Sequence, residues 1–80
     1  MKFFYTYVLQ LRNNDLYVGY CSNIKNRINE HASGKVDATR NARPVKLVYF
    51  EGCLSEKSAI KREKQLKTGF GRSYIKRRIK

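Results

Sequence analysis

The sequence predicts a small α/β (α+β) fold: a mainly antiparallel three-stranded sheet flanked by about three helices, in the order β-β-α-β-α-α. Two observations lead to this prediction. Three segments are rich in aromatic and β-branched residues, and two of them flank a turn, which indicates a β-hairpin. Two later segments repeat apolar residues at three- and four-residue intervals, which indicates helices. The length of 80 residues indicates a single domain, 1–80.

The predicted hairpin spans residues 2–21, with its turn at 12–15. Arg, Asn and Asp make up this turn, and the last two tolerate a positive φ angle. A two-residue turn would pair Gln10 with Tyr17, which places Tyr7 and Tyr17 on opposite faces of the sheet. An odd-length loop or a bulge is required if both tyrosines point into one site.

The first helix is expected to begin after a cap at Ser22 or Asn23 and to end at Gly34, a typical residue just beyond a helix. The polar and basic stretch 35–43 is expected to be an exposed loop. A near-continuous apolar run at 45–50 then predicts the third strand.

The second main helix is expected after a cap at Ser55 and to run from about residue 56 to 67. Gly69 and Gly71 are expected to break the chain. Residues 72–79 then form a short final helix, which is mostly cationic.

The net charge is the most informative feature of the composition. Eighteen Lys and Arg face six Asp and Glu, for a formal net charge of +12. A polyanion relieves the resulting self-repulsion, so nucleic acid is the expected partner. An anionic membrane is the alternative, but a basic amphipathic helix with aromatic anchors is expected for that role, and only the last segment could serve.

The chain is expected to lie in the cytoplasm. No signal peptide or transmembrane stretch is recognisable in the sequence. Cys21 and Cys53 are the two cysteines, and their spacing matches no zinc motif. We expect both to be reduced and partly buried.

Glu63 occupies an unusual position on the second main helix. The inward-facing stripe of this helix contains Ala59, Ile60, Glu63 and Leu66. A carboxylate in an apolar stripe costs desolvation free energy unless a partner compensates it. The many neighbouring Lys and Arg residues could do so through a salt bridge, and a hard divalent cation such as Mg²⁺ is the second explanation.

Two further pairs of residues are candidates for a site. Arg27 and His31 are four residues apart and therefore project from one face of the first helix, either as a solvated pair or as part of a site. Tyr7 and Tyr17 lie on the two hairpin strands, where a tyrosine usually packs with its hydroxyl in water. Each pair alone is weak evidence of function.

The combined pattern resembles the GIY-YIG nuclease family. It consists of Tyr7-Val8-Leu9, then Tyr17-Val18-Gly19 ten residues later, then Arg27 and His31, and finally Glu63 on a later helix. The segment LYVGYCSNIKNRINEH is similar to the second family motif with its arginine helix, RPVKLVYFE to the following strand, and SAIKREKQLK to the helix with the metal-binding glutamate. The resemblance covers about residues 5–67 and is greatest to small standalone members.

The resemblance implies hydrolysis of phosphodiester bonds in DNA, or in RNA, with one Mg²⁺ or Mn²⁺. Glu63 would ligate the metal, Tyr17 would help activate the attacking water, and Tyr7 would position or assist it. Arg27 would bind phosphate and favour a tyrosine phenolate through its charge. His31 is a second candidate for the general base, because its pKa lies nearer neutrality.

Other cations are expected to bind the nucleic-acid backbone. The C-terminal group contains Lys67, Arg72, Lys76, Arg77 and Arg78, and the loop adds Lys35, Arg40 and Arg43. Tyr74 and Ile75 are expected to hold the final helix against the core.

Two alternatives to an endonuclease remain open. One is a noncatalytic nucleic-acid-binding module with the nuclease fold, and the other is a basic protein-interaction or ribosome-associated domain. For an endonuclease this small, targeting would come from a partner protein, or cleavage would have little specificity.

Overall fold

The computed structural model describes residues 2–79. Its three strands form one antiparallel sheet in the order β2-β1-β3. The predicted fold class and order of elements are confirmed, and one short helix is added. The elements are β1 (Phe4–Gln10), β2 (Leu16–Cys21), α1 (Ile24–Ala32), α2 (Asp37–Arg40), β3 (Lys46–Cys53), α3 (Glu56–Leu66) and α4 (Gly69–Arg78).

The loop between β1 and β2 contains five residues, 11–15, and this odd length sets the register of the hairpin. A backbone hydrogen bond of 2.8 Å joins its first and last residues, and Asn14 adopts a φ angle of 71°. Tyr17 consequently pairs with Leu9 rather than with Gln10. Because Leu9 is two residues from Tyr7, both tyrosines lie on one face of the sheet. The two-residue turn is therefore wrong, and the odd-length loop that one shared site requires is present.

Helices α3 and α4 cover the opposite face of the sheet. The hydroxyl of Thr6 donates to the backbone oxygen of Ala59 in α3 at 3.0 Å. Val8 packs with Leu66 of α3 and Ile75 of α4 in the main apolar core. Thr6 and Val8 alternate with the tyrosine of β1, so the core and the tyrosines lie on different sides of the sheet.

Gly69 and Gly71 lie in the first turn of α4 and do not break the chain, contrary to the expectation from composition. The side chain of Thr68 caps this helix by accepting from the backbone N–H of Gly71. A Cβ atom on Gly71 would lie 2.4 Å from the backbone of Leu66. Gly71 is therefore needed because α3 and α4 pack closely at this position. It does not interrupt the helix.

Helix α2 lies within the segment 35–43, which was expected to be an exposed loop. Thr39 in this helix is completely buried. Gly34, with a φ angle of 82°, ends α1 as predicted. The extra helix exists because Thr39 bonds to a side chain of α1, a contact that a polar, non-periodic sequence does not reveal.

Candidate functional site

The hydroxyl of Tyr7 is the centre of a buried hydrogen-bond cluster. Tyr7 is fully buried, and its Oη lies 2.8 Å from Nε2 of His31. Nε of Arg27 donates to the same hydroxyl at 3.4 Å. Nη1 of Arg27 donates to the carboxylate of Glu30 at 3.1 Å. Strand β1 and helix α1 thus hold three of the predicted site residues in direct contact.

His31 is bonded through both of its ring nitrogens. It is fully buried, and its Nδ1 lies 2.8 Å from Oγ1 of Thr39 in α2. Burial, followed by the positive charge of Arg27, lowers the pKa of His31 below its usual value of 6.5. The ring is therefore neutral near pH 7, with one donor and one acceptor nitrogen. A solvated-face role, one of the alternatives from the sequence, does not apply to His31.

Burial also determines the ionisation of Tyr7. Burial raises the pKa of its phenol, and the opposing hydrogen bond and charge of Arg27 have smaller effects. Arg27 therefore favours the phenolate of Tyr7, as expected, but the effect of burial on the pKa is larger. Here the phenol stays protonated and orders the side chains around it.

Gly19 provides the space for this phenol. It is buried in β2 and pairs with Tyr7 across the strands. A Cβ atom on Gly19 would lie 2.5 Å from Oη of Tyr7, closer than any packing contact allows. The glycine of the second motif therefore allows the phenol of the first motif to lie against the backbone.

Tyr17 connects the buried cluster to the solvent. Its ring packs edge-on against His31 with centroids 5.3 Å apart, and its side chain is half-buried. It also lines a depression of about 250 Å³, together with Leu66, Lys67 and Arg72. Among the two motif tyrosines, Tyr17 is the one that an external molecule can reach.

Glu63 lies on the side of α3 that faces β2. Its side chain is 17% exposed, and Oε2 pairs with Nζ of Lys67 at 3.0 Å. Seven residues before it, Glu56 lines a cleft of about 630 Å³ together with Arg27 and Glu30. Residues four and seven apart share one side of a helix, so Glu63 lies between this cleft and the depression that contains Lys67.

The structure brings four of the five predicted catalytic residues together. Direct contacts join Tyr7, Tyr17, Arg27 and His31 on the side of α1. Glu63 lies on α3, which packs against the other face of the sheet. A salt bridge to Lys67 occurs as one alternative predicted, and Oε1 of the carboxylate is not part of that ion pair.

Some of the predicted phosphate-binding residues lie next to Tyr17. Lys67 and Arg72 share its depression, and Arg72 and Lys76 line another beside the hairpin loop. The guanidinium of Arg78 instead stacks on the ring of Tyr74 at 3.6 Å. Arg77 is exposed. The C-terminal cations therefore divide into a group beside β2, which contains Lys67, Arg72 and Lys76, and two residues elsewhere on α4, the stacked Arg78 and the exposed Arg77.

The loop cations have partners of their own. Arg40 pairs with Asp37 and donates to the backbone oxygen of Gly34. Arg43 donates to the backbone oxygen of Arg40, and Lys35 is exposed. Arg40 and Arg43 thus hold α2 against the end of α1.

The donor atoms at the site fit one kind of metal. Within residues 2–79, no three His, Cys, Asp or Glu side chains cluster as a metal-binding group. Glu63 alone is a poor site for zinc, which takes three or four protein ligands. Mg²⁺ commonly keeps several waters and binds through one or two carboxylates plus substrate phosphates. A single, mostly buried carboxylate that pairs with Lys67, at the depression lined by Lys67 and Arg72, fits that second pattern.

The match to a family model identifies the domain. The GIY-YIG catalytic domain matches residues 3–78. The chain belongs to the GIY-YIG family. GIY-YIG domains are nuclease domains, which indicates a nuclease-type function for this chain.

Curated relatives of this GIY-YIG chain are UPF0213 proteins. One from Syntrophus aciditrophicus is 45% identical over 65 residues, covering 79% of this chain and 75% of the relative. One from Staphylococcus haemolyticus is 42% identical over 65 residues, covering 80% and 79%. A solution structure of a UPF0213 protein from Bacillus halodurans superposes with a TM-score of 0.58 and 29% identity, covering 91% of this chain and 81% of that one.

Sequence reasoning missed two members of the hydrogen-bond cluster around Tyr7: Glu30 and Thr39. Glu30 follows Arg27 by three residues on α1, and that spacing is a recognisable signal for a helical ion pair. Thr39 carries no such signal, because its segment shows no apolar periodicity. Only the fold brings its hydroxyl to His31.

Proposed function

We propose that this GIY-YIG domain is a divalent-metal-dependent endonuclease that hydrolyses phosphodiester bonds in DNA. The observation that supports it most is the buried chain of hydrogen bonds from Thr39 through His31 and Tyr7 to Arg27. Burying this many polar groups requires a fixed geometry, and its last member lies in an open cleft. Such an arrangement fixes one cationic side chain where a substrate can reach it.

Arg27 is the phosphate-binding residue in this proposal. Tyr7 and Glu30 contact its Nε and Nη1, so the guanidinium is oriented before substrate arrives. A guanidinium binds phosphate oxygens through two parallel hydrogen bonds. Preorganised positive charge of this kind stabilises the negative charge that develops during phosphodiester cleavage.

Tyr17 is the residue that we place beside the attacking water. A general base must lie within hydrogen-bonding reach of the proton it accepts. The hydroxyl of Tyr7 is buried and bonded to His31 and Arg27, and both ring nitrogens of His31 are engaged. Tyr17 is half-buried and lines a surface depression. Tyr7 and His31 then act as positioning residues, which hold Arg27 and the ring of Tyr17.

Glu63 is the proposed ligand of Mg²⁺ or Mn²⁺. A bound divalent cation would stabilise charge on the phosphate and on the leaving oxygen. Lys67 pairs with Oε2 of Glu63, which leaves Oε1 for the ion. The other ligands would be water and substrate oxygens.

The cations beside β2 supply affinity without sequence information. Lys67, Arg72 and Lys76 line depressions next to Tyr17 and would contact backbone phosphates on either side of the cleaved bond. Targeting would then come from a partner protein.

Cys21 and Cys53 are both free, which agrees with a reducing, cytoplasmic location. The part of the chain that the structure describes contains no helix of the length and apolarity needed to cross a bilayer.

Nicking of supercoiled plasmid tests the proposal. We expect conversion to open circles with Mg²⁺ or Mn²⁺, none in EDTA, and a rate that falls as salt rises, because phosphate contacts release counterions. A noncatalytic module would bind the same DNA, with the same sensitivity to salt, but would never nick it. A ribosome-associated or protein-binding domain would prefer RNA or protein and would tolerate the loss of Glu63.

A further inference from the structure

An aromatic surface lies beside the candidate site. Phe3, Tyr5 and Phe50 form it, with ring centroids 6.3 Å apart for the first pair and 6.2 Å for the second. Phe3 is 43% exposed and Phe50 is 53% exposed. A row of three neighbouring rings, two of which are exposed to solvent, is an unusual feature of a protein with 80 residues.

Gly52 gives these rings a flat support. It lies opposite Tyr5 in the sheet, and a Cβ atom on it would lie 3.2 Å from the ring of Tyr5 and 3.5 Å from that of Phe3. The two rings therefore lie against the bare backbone of β3. A Cβ atom at this position would require the ring of Tyr5 to shift by a few tenths of an ångström.

The aromatic surface is contiguous with the site. Phe50 pairs with Tyr7 across β1 and β3, so its side chain is on the same face of the sheet. The phenol of Tyr7 leans towards Gly19 in β2, and the ring of Tyr5 leans towards Gly52 in β3. The aromatic surface therefore adjoins Tyr7, whose hydroxyl accepts from Arg27.

The chemistry of this surface favours unpaired bases. Exposed rings in strongly basic proteins bind single strands by stacking, because every base has a π face and stacking tolerates any sequence. Bases within a duplex are stacked on one another and cannot reach a protein ring without being displaced. A second copy of this chain is the other candidate, but two chains of net charge +12 repel each other.

We infer that Phe3, Tyr5 and Phe50 form a stacking surface for unpaired nucleotides, and that the preferred substrate is single-stranded or carries a single-stranded branch. This inference deepens the proposed function by naming its substrate class. Binding to the aromatic surface is measurable without cleavage, so the two proposals fail separately.

Binding is measured by fluorescence anisotropy with two probes: a labelled oligothymidylate of about 20 nucleotides and a hairpin duplex of equal length. The protein is the Glu63→Gln variant in EDTA, so that cleavage does not interfere. The test variant adds Phe3→Ser and Phe50→Thr. The control instead adds Phe70→Ser, because Phe70 is 75% exposed but lies on α4, outside the aromatic surface.

The double substitution is expected to weaken single-strand binding at least about tenfold and duplex binding less than about twofold. Phe70→Ser is expected to change either constant less than about twofold. Thermal unfolding verifies the fold, and the single variant Phe50→Thr gives a smaller loss of the same kind if the double variant is unstable.

Three outcomes would overturn the inference. The first is an equal loss of single-strand and duplex binding, or no loss of either, in the Phe3→Ser/Phe50→Thr variant. The second is an equal loss in the Phe70→Ser control. The third is a dimer in sedimentation equilibrium that the double variant dissociates, because the aromatic surface would then bind a second copy.

Discussion

The hydroxyl of Tyr7 lies 2.8 Å from Nε2 of His31, and both side chains are completely buried. Burial raises the pKa of the tyrosine and lowers that of the histidine, so both are neutral near pH 7. Neutral partners can remain buried without an unpaired charge. This pair therefore acts as a rigid, uncharged support that fixes Arg27 at the edge of the site.

Removal of the hydroxyl from Tyr7 or from Tyr17 distinguishes a structural role from a role in the cleavage reaction. Tyr7→Phe leaves a buried nitrogen of His31 without a partner and is expected to cost about 1–3 kcal/mol of unfolding free energy. Tyr17→Phe is expected to cost less than about 1 kcal/mol but to slow cleavage at least about 100-fold. Thermal unfolding and plasmid nicking measure the two effects. If Tyr17→Phe cleaved DNA at the wild-type rate, Tyr17 would not be the base.

Gly19→Ala is expected to disrupt the cluster through Tyr7. Its Cβ would lie 2.5 Å from Oη of Tyr7, and moving the phenol is expected to destabilise the protein by about 1–3 kcal/mol. Gly69→Ala is the control, since nothing lies within 4 Å of a Cβ there. It is expected to be neutral or to stabilise α4 by up to about 1 kcal/mol. Equal unfolding temperatures for both variants would contradict the close contact at Gly19.

Thr39→Val tests the role of α2. The substitution keeps the shape of the side chain but removes the hydroxyl from Nδ1 of His31, at an expected cost of about 1–3 kcal/mol. Thr6→Val is a matched control, because Thr6 is also buried and makes one hydrogen bond, to Ala59 in α3. Both variants are expected to lose similar stability. At a temperature well below the unfolding midpoint of each variant, only Thr39→Val is expected to slow nicking. Equal nicking by both would show that Thr39 is merely structural.

The lowered pKa of His31 predicts a dependence of stability on pH. Between its pKa in the folded protein and the usual value of 6.5, the unfolded chain binds more protons than the folded one. Stability therefore rises with pH across this window, and it is lost as the pH falls through the folded pKa. His31→Gln retains an amide nitrogen but does not titrate. Denaturant unfolding at several pH values between about 5 and 7 is expected to show a shallower slope for this variant. Equal slopes of unfolding free energy against pH for the wild type and His31→Gln would contradict the assignment of this pH dependence to His31.

The strands and main helices follow from local patterns. Alternating aromatic residues give β1 and β2, and a side-chain cap with apolar spacing gives α3 from Ser55 onwards. Local patterns did not predict the hairpin register, because it depends on a five-residue loop in which Asn14 adopts a positive φ angle. That register decides which face Tyr17 occupies.

Other features depend on contacts between distant residues. The buried hydroxyl of Thr39 exists only because α2 returns to His31. Gly71 was expected to break the chain, but it is the point at which α4 contacts α3. The sequence singled out Tyr7, Arg27 and His31, which the structure brings into contact. Burial, which outweighs the effect of Arg27 on the ionisation of Tyr7, could not be predicted from it.

Cleavage by two glutamate variants on one side of α3 tests the central claim most directly. Glu63→Gln removes the proposed metal ligand, and the fold is expected to be retained, because an i,i+4 ion pair such as that with Lys67 is worth only about 0.2–0.5 kcal/mol. Glu56→Gln removes an equal charge seven residues away. The expected result is a loss of Mg²⁺-dependent nicking of at least about 100-fold for Glu63→Gln, and of less than about threefold for Glu56→Gln. Nicking at the wild-type rate by Glu63→Gln would contradict the account.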